Sequence, residues 1–227
     1  MIGTVINVGA VVAGSLVGML LKNRLPEKIK SMVFQAIGLA TIFFGVSMAL
    51  KSNNWMVLIL SLVSGAVIGQ LLKLDDGMNR AGEWLKSSLR ISNKRFTEGL
   101  MTSFLLFCMG SMTVLGALEE GLNKNSELLL AKSVMDGFSS IALAAAMGFG
   151  VMFSALPMLI YQGSITLFAG SLQDVISEPL INEITATGGV LLIGMGFNIL
   201  EIKKIPVINL LPALVTAVAF YFLFQAF

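Results

Sequence analysis

The chain has 227 residues, of which 56% are hydrophobic and 12% are charged, and its mean hydropathy is +0.88. Charged residues make up about a quarter of a typical soluble domain, so this composition excludes a soluble fold and predicts a chain that resides in a lipid bilayer. The net charge of +2 leaves no basic surplus for binding nucleic acid. The chain has no histidine and a single cysteine, Cys108, which excludes histidine-based catalysis, the usual zinc sites and an intramolecular disulfide.

Apolar segments recur along the chain at about the 20-residue length that a membrane-spanning helix requires. The first has no basic residue ahead of it, unlike a cleavable signal peptide, so it is predicted to be a retained span. We therefore expect an all-α, polytopic integral membrane helical bundle of about eight transmembrane helices in a single domain, residues 1–227. The predicted spans are Ile2–Leu21, Val33–Leu50, Trp55–Leu72, Leu100–Leu118, Leu128–Met147, Val151–Ser171, Ile184–Leu200 and Val207–Phe224.

The boundary between the fifth and sixth spans stays open at this stage. Residues 133–172 contain almost no polar break, and residues 148–150 (Gly-Phe-Gly) are where the chain could turn. This tripeptide is either a turn between two spans or part of a broken or re-entrant helix.

The basic residues predict the orientation. With the N-terminus outside, the predicted inner loops hold twelve of the 15 Lys and Arg residues, as the positive-inside rule requires. Dropping one span near Gly150 would place Lys203 and Lys204 on the outer side and weaken this bias.

The first half of the chain repeats itself. Residues 13–22 (AGSLVGMLLK) align with residues 64–73 (SGAVIGQLLK), sharing two glycines four apart, a Leu-Leu pair and a closing lysine. This similarity predicts a duplicated hairpin, residues 2–50 and 55–118, followed by C-terminal spans in residues 128–224. Hairpin repeats build many transporter folds, and they also build bundles with no transport role.

Small residues four apart predict close helix packing in this bundle. Such faces also predict a homo-oligomer. The pairs are Gly14/Gly18, Gly65/Gly69 and Gly45/Ala49.

The long loop between the third and fourth spans, residues 75–95, places apolar and charged side chains on opposite sides at helical spacing. It predicts an amphipathic helix on the inner leaflet with Trp84 as an interfacial anchor. The alternative is a solvated cytoplasmic linker.

Lys132 and Asp136 are the candidate site at the outer end of the fifth span. They are four residues apart, so they share a helix face and can pair. Ionisable groups at membrane depth are costly and mark functional positions. If Asp136 faces the bundle interior, it could bind a cation or take up a proton, with Lys132 as counter-ion or competitor. The alternative is a structural ion pair that fixes the top of the helix.

Glu119 and Glu120 end the fourth span. An acidic pair on the outer surface could draw cations toward a mouth, or it could be a solvated helix end.

Gln162 and Asn198 are the uncharged candidates for a polar lining. Gln162 lies in the sixth span between Pro157 and Gly163, which make that span the best candidate for a discontinuous helix with free carbonyls. Asn198 lies in the seventh span, and its alternative role is an interhelical hydrogen bond.

Motifs for other chemistries are absent from the sequence. It has no Walker loop, no dinucleotide fingerprint and no Cys/His metal spacing. We therefore expect no enzymatic activity and no cofactor, and the residues leave any metal unassigned.

Four segments of the chain resemble one family when taken together. They are CMGSMTVLGALEEGL, KSVMDGFSS, YQGSITLFAG and TGGVLLIGMGFNILEIKKIPVINLLPAL. These segments closely resemble the YdfK/YqgA-like bacterial inner-membrane proteins, a domain-of-unknown-function family. The resemblance covers essentially the whole chain. The resemblance implies a multi-pass protein of the bacterial cytoplasmic membrane with about this span count. It carries no site residues.

The leading hypothesis is a secondary transporter or channel-like protein for a small ion or solute, surrounded by membrane lipids and without a nucleic-acid partner. Asp136 would be the ion or proton site, Gln162 and Asn198 the polar lining, and Glu119 and Glu120 the outer mouth. The alternative is a non-transporting membrane scaffold or interaction protein, whose segment 75–95 recruits a cytoplasmic partner.

Overall fold

The computed structural model describes residues 1–22, 27–77, 80, 95–172 and 176–225. Within these residues the regular secondary structure is helical. Six helices are long and apolar enough to cross a membrane, or seven if one bent pair forms a single span. The all-α membrane fold is thus confirmed, whereas the count of eight spans stays a prediction. The predicted amphipathic segment 75–95 lies largely outside the described residues.

The helices are numbered here in chain order. They are α1 Ile2–Lys22, α2 Glu27–Ala49, α3 Trp55–Leu72, α4 Phe96–Cys108, α5 Ser111–Asn123, α6 Glu127–Met147, α7 Phe149–Phe153, α8 Ala155–Leu167, α9 Ala169–Leu172, α10 Glu178–Ile199 and α11 Ala213–Gln225, with a 3-10 turn at Val207–Leu210.

Helices α1 and α6 run parallel and in close contact. A Cβ atom added to Gly3 would lie 2.8 Å from the Cβ of Leu129, one on Gly14 would meet the backbone of Gly137, and one on Gly18 would meet the backbone of Ile141. Residue numbers rise together along the two helices, which defines the parallel direction. The predicted glycine pair at positions 14 and 18 therefore serves close backbone packing.

Helices α2 and α10 pack antiparallel. A Cβ on Gly45 would lie 2.7 Å from the carbonyl oxygen of Gly189, and a Cβ on Gly38 would lie 2.7 Å from Leu200. A Cβ on Gly189 would lie 2.5 Å from the backbone nitrogen of Ala49. The predicted pair of Gly45 and Ala49 is confirmed as a packing face.

Helix α3 packs antiparallel against the 3-10 turn and α11. Asn54 caps its start by accepting hydrogen bonds from two backbone N–H groups of the first turn, and Lys73 ends it in a left-handed conformation with a φ of 52°. A Cβ on Gly65 would meet the backbone of Ala213, and one on Gly69 would meet the backbone of Asn209. The third predicted glycine pair thus also serves close packing.

The predicted fourth span is broken. Helix α4 ends at Cys108, Gly110 is extended, and α5 continues at an angle of 59°. A break of this kind leaves helix carbonyls without their usual partners. The Thr113 hydroxyl donates a hydrogen bond of 2.6 Å to the carbonyl of Phe107, which satisfies one of them.

The chain turns at Gly148, between α6 and α7. Helix α6 ends at Met147, and Gly148 has a φ of 78°, a conformation that favours glycine. The hydrogen bond between Asn7 and Gln162 and the approach of Thr4 to Thr166 set α8 antiparallel to α1, and therefore antiparallel to α6. The chain reverses at Gly148.

The predicted sixth span is segmented, but not at the predicted residues. Its turns lie at Ser154 and Phe168, and α8 runs without interruption through Pro157 and Gly163. Pro157 falls in the first turn of α8, where a missing N–H group costs little. The prediction that these two residues break the helix is therefore wrong.

The connecting segments meet at two ends of the bundle. At one end the amino group of Met1 approaches Glu120 and the Ser52 hydroxyl donates to Glu183. At the other end Arg95 pairs with Glu201 at 2.6 Å. Where the structure describes them, the segments predicted to be outside lie at the first end and those predicted to be inside lie at the second.

Candidate functional site: a buried polar cluster

Lys132 and Asp136 form an ion pair in the interior of the bundle. They lie one helical turn apart on α6, and the Lys132 Nζ donates to both carboxylate oxygens at 2.8 Å. Their side chains are only 8% and 7% exposed. The ring of Phe107 on α4 faces the ammonium, with 6.0 Å between Nζ and the ring centroid. The predicted pairing is thus formed, and both charges are shielded by protein.

Asn7 and Gln162 complete the cluster from two further helices. The Nδ2 of Asn7 on α1 donates to the Oδ2 of Asp136 at 3.1 Å and to the Oε1 of Gln162 on α8 at 3.5 Å. Both amide side chains are fully buried. We call these four residues, Asn7, Lys132, Asp136 and Gln162, the polar cluster.

Two atoms of the polar cluster have no hydrogen-bond partner among the described residues. They are the Oδ1 of Asn7 and the Nε2 of Gln162. A buried polar atom without a partner costs about 1–3 kcal/mol, and such atoms in proteins usually contact an ordered water, an ion or a ligand. The polar cluster therefore has an unused acceptor and an unused donor on the two amides that touch each other.

Three buried hydroxyl groups share this property. They are Ser15 on α1 and the neighbouring residues Thr102 and Ser103 on α4. The two α4 residues lie between Met101, which lines a cavity at the opposite end of the bundle, and Phe107 beside Lys132. Helix α4 thus carries unpaired polar groups along the stretch that separates this cavity from the polar cluster.

Glu120 holds the start of α1. Its buried carboxylate accepts hydrogen bonds from the backbone N–H of Gly3 at 2.5 Å and from the hydroxyls of Thr4 at 2.9 Å and Ser126 at 2.8 Å. A carboxylate at a helix N-terminus is stabilised by the helix dipole. Its neighbour Glu119 is half-buried and accepts from Asn125 at 3.1 Å. Both glutamates predicted for an outer mouth are thus engaged by protein groups.

Thr4 links the carboxylate of Glu120 to the polar cluster. Its hydroxyl lies 3.4 Å from that of Thr166 on α8, and Thr166 is one helical turn beyond Gln162. Thr4 and Asn7 are three residues apart on α1, so they face the same way. Polar groups therefore continue from the predicted outer end to Asp136.

Asn198 lies apart from the polar cluster. Its side chain accepts from the backbone N–H of Ile205 at 2.6 Å and donates to the carbonyl of the same residue at 2.8 Å. It closes the loop after α10 and lines the cavity of about 450 Å³ together with Glu98, Glu201 and Lys203. The amide of Asn198 is thus used by a local backbone loop at the opposite end from the polar cluster, and a path shared with Gln162 stays a prediction.

Sequence reasoning missed Asn7 and Glu183. Asn7 lies in the first apolar span, where Thr4, Asn7 and Ser15 occupy one helix face and signal a polar stripe. Glu183 is 1% exposed and accepts hydrogen bonds from Ser52 and from the backbone of residues 53 and 54. In the sequence Glu183 directly precedes a predicted span, where an acidic residue is usually exposed to solvent.

In the part of the chain that the structure describes, no group of three or more His, Cys, Asp or Glu side chains is placed to hold a metal ion. The side chains of the polar cluster interact by hydrogen bonding and charge pairing.

Comparison with known proteins identifies the family. The profile described as "Protein of unknown function (DUF554)" matches residues 2–222. The chain belongs to this family. Two relatives of the chain are the "Uncharacterized membrane protein YdfK" of Bacillus subtilis (strain 168) and the "Uncharacterized protein YqgA" of Escherichia coli (strain K12). The first is 36% identical over 100% of this chain and 98% of its own length. The second is 33% identical over 95% of this chain and 94% of its own length.

No solved structure matches the chain. The name of the first relative places that protein in a membrane, in agreement with the six long apolar helices found here. The resemblance expected from the sequence is confirmed.

Proposed function

We propose that this protein is a secondary transporter or channel-like protein for a small ion or solute, and that the solute crosses the bundle at the polar cluster. The observation that carries this proposal is the buried Lys132–Asp136 pair together with the two partner-free amide atoms of Asn7 and Gln162. We propose no enzymatic activity.

The energetics of burial support a functional cluster. Removing two charges from water costs several kcal/mol per ion, and an apolar pair of similar volume often stabilises a fold as well or better. A bundle selected for stability alone has no need of Lys132 and Asp136 at this depth. Intramembrane charges that face the protein interior commonly mark ion and solute pathways.

The interrupted helices support the same function. Transporters often place their sites at discontinuous helices, whose free ends can contact a solute and can move. Here α4 bends into α5 immediately after Phe107 and Cys108, next to the ion pair. The segment α7–α8 is interrupted at Ser154. Both interruptions lie in helices that border the polar cluster.

The span count, the orientation and the assembly state are part of the same proposal. We propose eight spans, counting α2 as one span and α4 with α5 as one bent span, in a homo-oligomer of the bacterial inner membrane with the N-terminus outside. The separation of the loops into two ends supports this arrangement. The duplicated hairpin also remains part of the proposal, supported by the equivalent glycine pairs in α1 and α3.

The proposal is tested by flux into proteoliposomes. The purified protein is reconstituted and assayed with Na⁺, K⁺, H⁺, Cl⁻ and small uncharged solutes. We expect flux of at least one of these, its loss in Asp136→Asn, and no change in Glu178→Gln, an acid-to-amide control at an exposed position. Absence of all flux, or an Asp136→Asn protein that transports like the wild type, would overturn the proposal.

The second candidate is a membrane scaffold or interaction protein that recruits a partner through residues 75–95. It is favoured by one observation, the complete pairing of Asp136 with Lys132 through both oxygens. The two candidates differ in hydration. In a Cys108→Ala background, Asp136→Cys and Gln162→Cys should react with a small hydrophilic thiol reagent in a transporter. In a scaffold neither cysteine should react with this reagent.

A further inference from the structure

We infer that the solute accepted by the polar cluster is a small uncharged molecule that bears a hydroxyl or amide group, so that it both donates and accepts hydrogen bonds. This inference rests on the proposed function and narrows its substrate class.

The charge balance of the polar cluster argues against a net charge on the solute. The ammonium of Lys132 and the carboxylate of Asp136 compensate each other at 2.8 Å. The groups that face them from α1, α4 and α8 are uncharged: the amides of Asn7 and Gln162 and the ring of Phe107. A cation bound here would meet Lys132 and an anion would meet Asp136. Because Lys132 and Asp136 already neutralise each other, the charge of the bound cation or anion would stay uncompensated in this low-dielectric interior.

The hydrogen-bond directions define what the solute must offer. A carboxylate can only accept, so Asn7 must turn its NH₂ group toward Asp136, which leaves the Asn7 Oδ1 as an acceptor. The same NH₂ group donates to the Oε1 of Gln162, which leaves the Gln162 Nε2 as a donor. Asp136 thus determines the orientation of both amides through a single chain of hydrogen bonds.

One kind of molecule satisfies both remaining atoms. A hydroxyl group donates through its hydrogen and accepts through its oxygen, and a primary amide does both as well. Both side chains are fully buried, so the solute must fit between three packed helices. Glycerol and urea combine this chemistry with small size and are the probes of choice.

The test is stopped-flow light scattering of proteoliposomes exposed to glycerol or urea gradients. Water permeability is measured with sucrose in the same instrument, and Na⁺, K⁺, Cl⁻ and H⁺ fluxes are measured with dyes. We expect glycerol or urea entry several-fold above that of empty vesicles, without ion flux. Gln162→Met keeps the side-chain length and removes the donor, so entry should fall about tenfold, the effect of losing one hydrogen bond. The control is Gln35→Met, the same substitution at an exposed position of α2.

Each outcome decides the inference. Loss of glycerol or urea entry in Gln162→Met with retention in Gln35→Met supports it. Flux of ions without either solute overturns it and leaves the proposed function standing, whereas absence of all flux overturns both. Passage of water without glycerol or urea overturns the inference that the solute bears a hydroxyl or amide group. If Gln162→Met does not fold, Gln162→Asn takes its place, because it retracts the amide by one methylene group and should also lower entry.

Discussion

Asn7 donates a hydrogen bond to Asp136 across 129 residues of sequence, and this contact joins the first helix to the only ion pair on α6 that the described residues form. It orients the amide of Asn7 and, through it, that of Gln162. The arrangement makes Asp136 the organising residue of the polar cluster, since it also receives both bonds from Lys132.

The ion pair gives the first prediction. Asp136→Leu or Lys132→Met alone leaves one buried charge without a partner, which should lower the free energy of unfolding by about 3–5 kcal/mol. The double variant leaves no charge and should recover most of this loss. Thermal unfolding in detergent can be followed with a thiol-reactive dye, because the single cysteine Cys108 is fully buried. Single variants as stable as the wild type would contradict the burial described here.

The packing of α1 on α6 gives the second prediction. A Cβ on Gly14 would meet Ser140 and the backbone of Gly137, whereas a Cβ on Gly9 meets nothing within 4 Å. Gly14→Ala should therefore destabilise the protein by about 1–3 kcal/mol through overpacking. Gly9→Ala, the matched change on the same helix, should be neutral or stabilising by about 0.5–1 kcal/mol. Equal melting temperatures for the two variants would argue against the close helix contact.

The loop before α3 gives the third prediction. The carboxylate of Glu183 accepts from the backbone N–H groups of Asn53 at 2.7 Å and Asn54 at 2.9 Å. Hydrogen bonds to charged groups contribute about 1.5–3 kcal/mol, so Glu183→Ala should speed hydrogen exchange at these two amides tenfold or more. The exposed Glu178 provides the control substitution to alanine. Unchanged exchange in Glu183→Ala would show that other contacts hold this loop.

The orientation gives the fourth prediction. In a Cys108→Ala background, Asn123→Cys at the first end should react with a membrane-impermeant maleimide in intact cells. Lys203→Cys at the second end should react only after permeabilisation. Both positions are exposed, so access is decided by the side of the membrane. The reverse pattern would place the N-terminus inside, and labelling of both positions in intact cells would exclude the eight-span arrangement.

Much of the fold follows from local patterns. Apolar length locates the helices, and the four-residue spacing pairs Lys132 with Asp136, because both signals act within one helix. The glycine pairs also identify packing faces, since a missing side chain permits close approach whatever the partner helix is. The partner itself is not a local property, and nothing in residues 13–22 indicates that they pack on α6.

The rest of the site depends on contacts between distant segments. Asn7 and Glu183 acquire their roles from groups more than 100 residues away. Asn198 resembles Gln162 in the sequence, yet it bonds to a backbone loop seven residues away. The bend near Gly110 was missed because a glycine in an apolar run is compatible with a straight helix as well as with a break.

The parallel contact of α1 with α6 also has a meaning for biosynthesis. The ribosome delivers Asn7 early, but the carboxylate that it binds follows 129 residues later. Until then the amide of α1 faces lipid, translocation machinery or a provisional neighbour. The contact between α1 and α6 therefore forms only after the intervening helices have been made, and until then the first helix must stay beside the insertion apparatus or diffuse in the plane of the membrane.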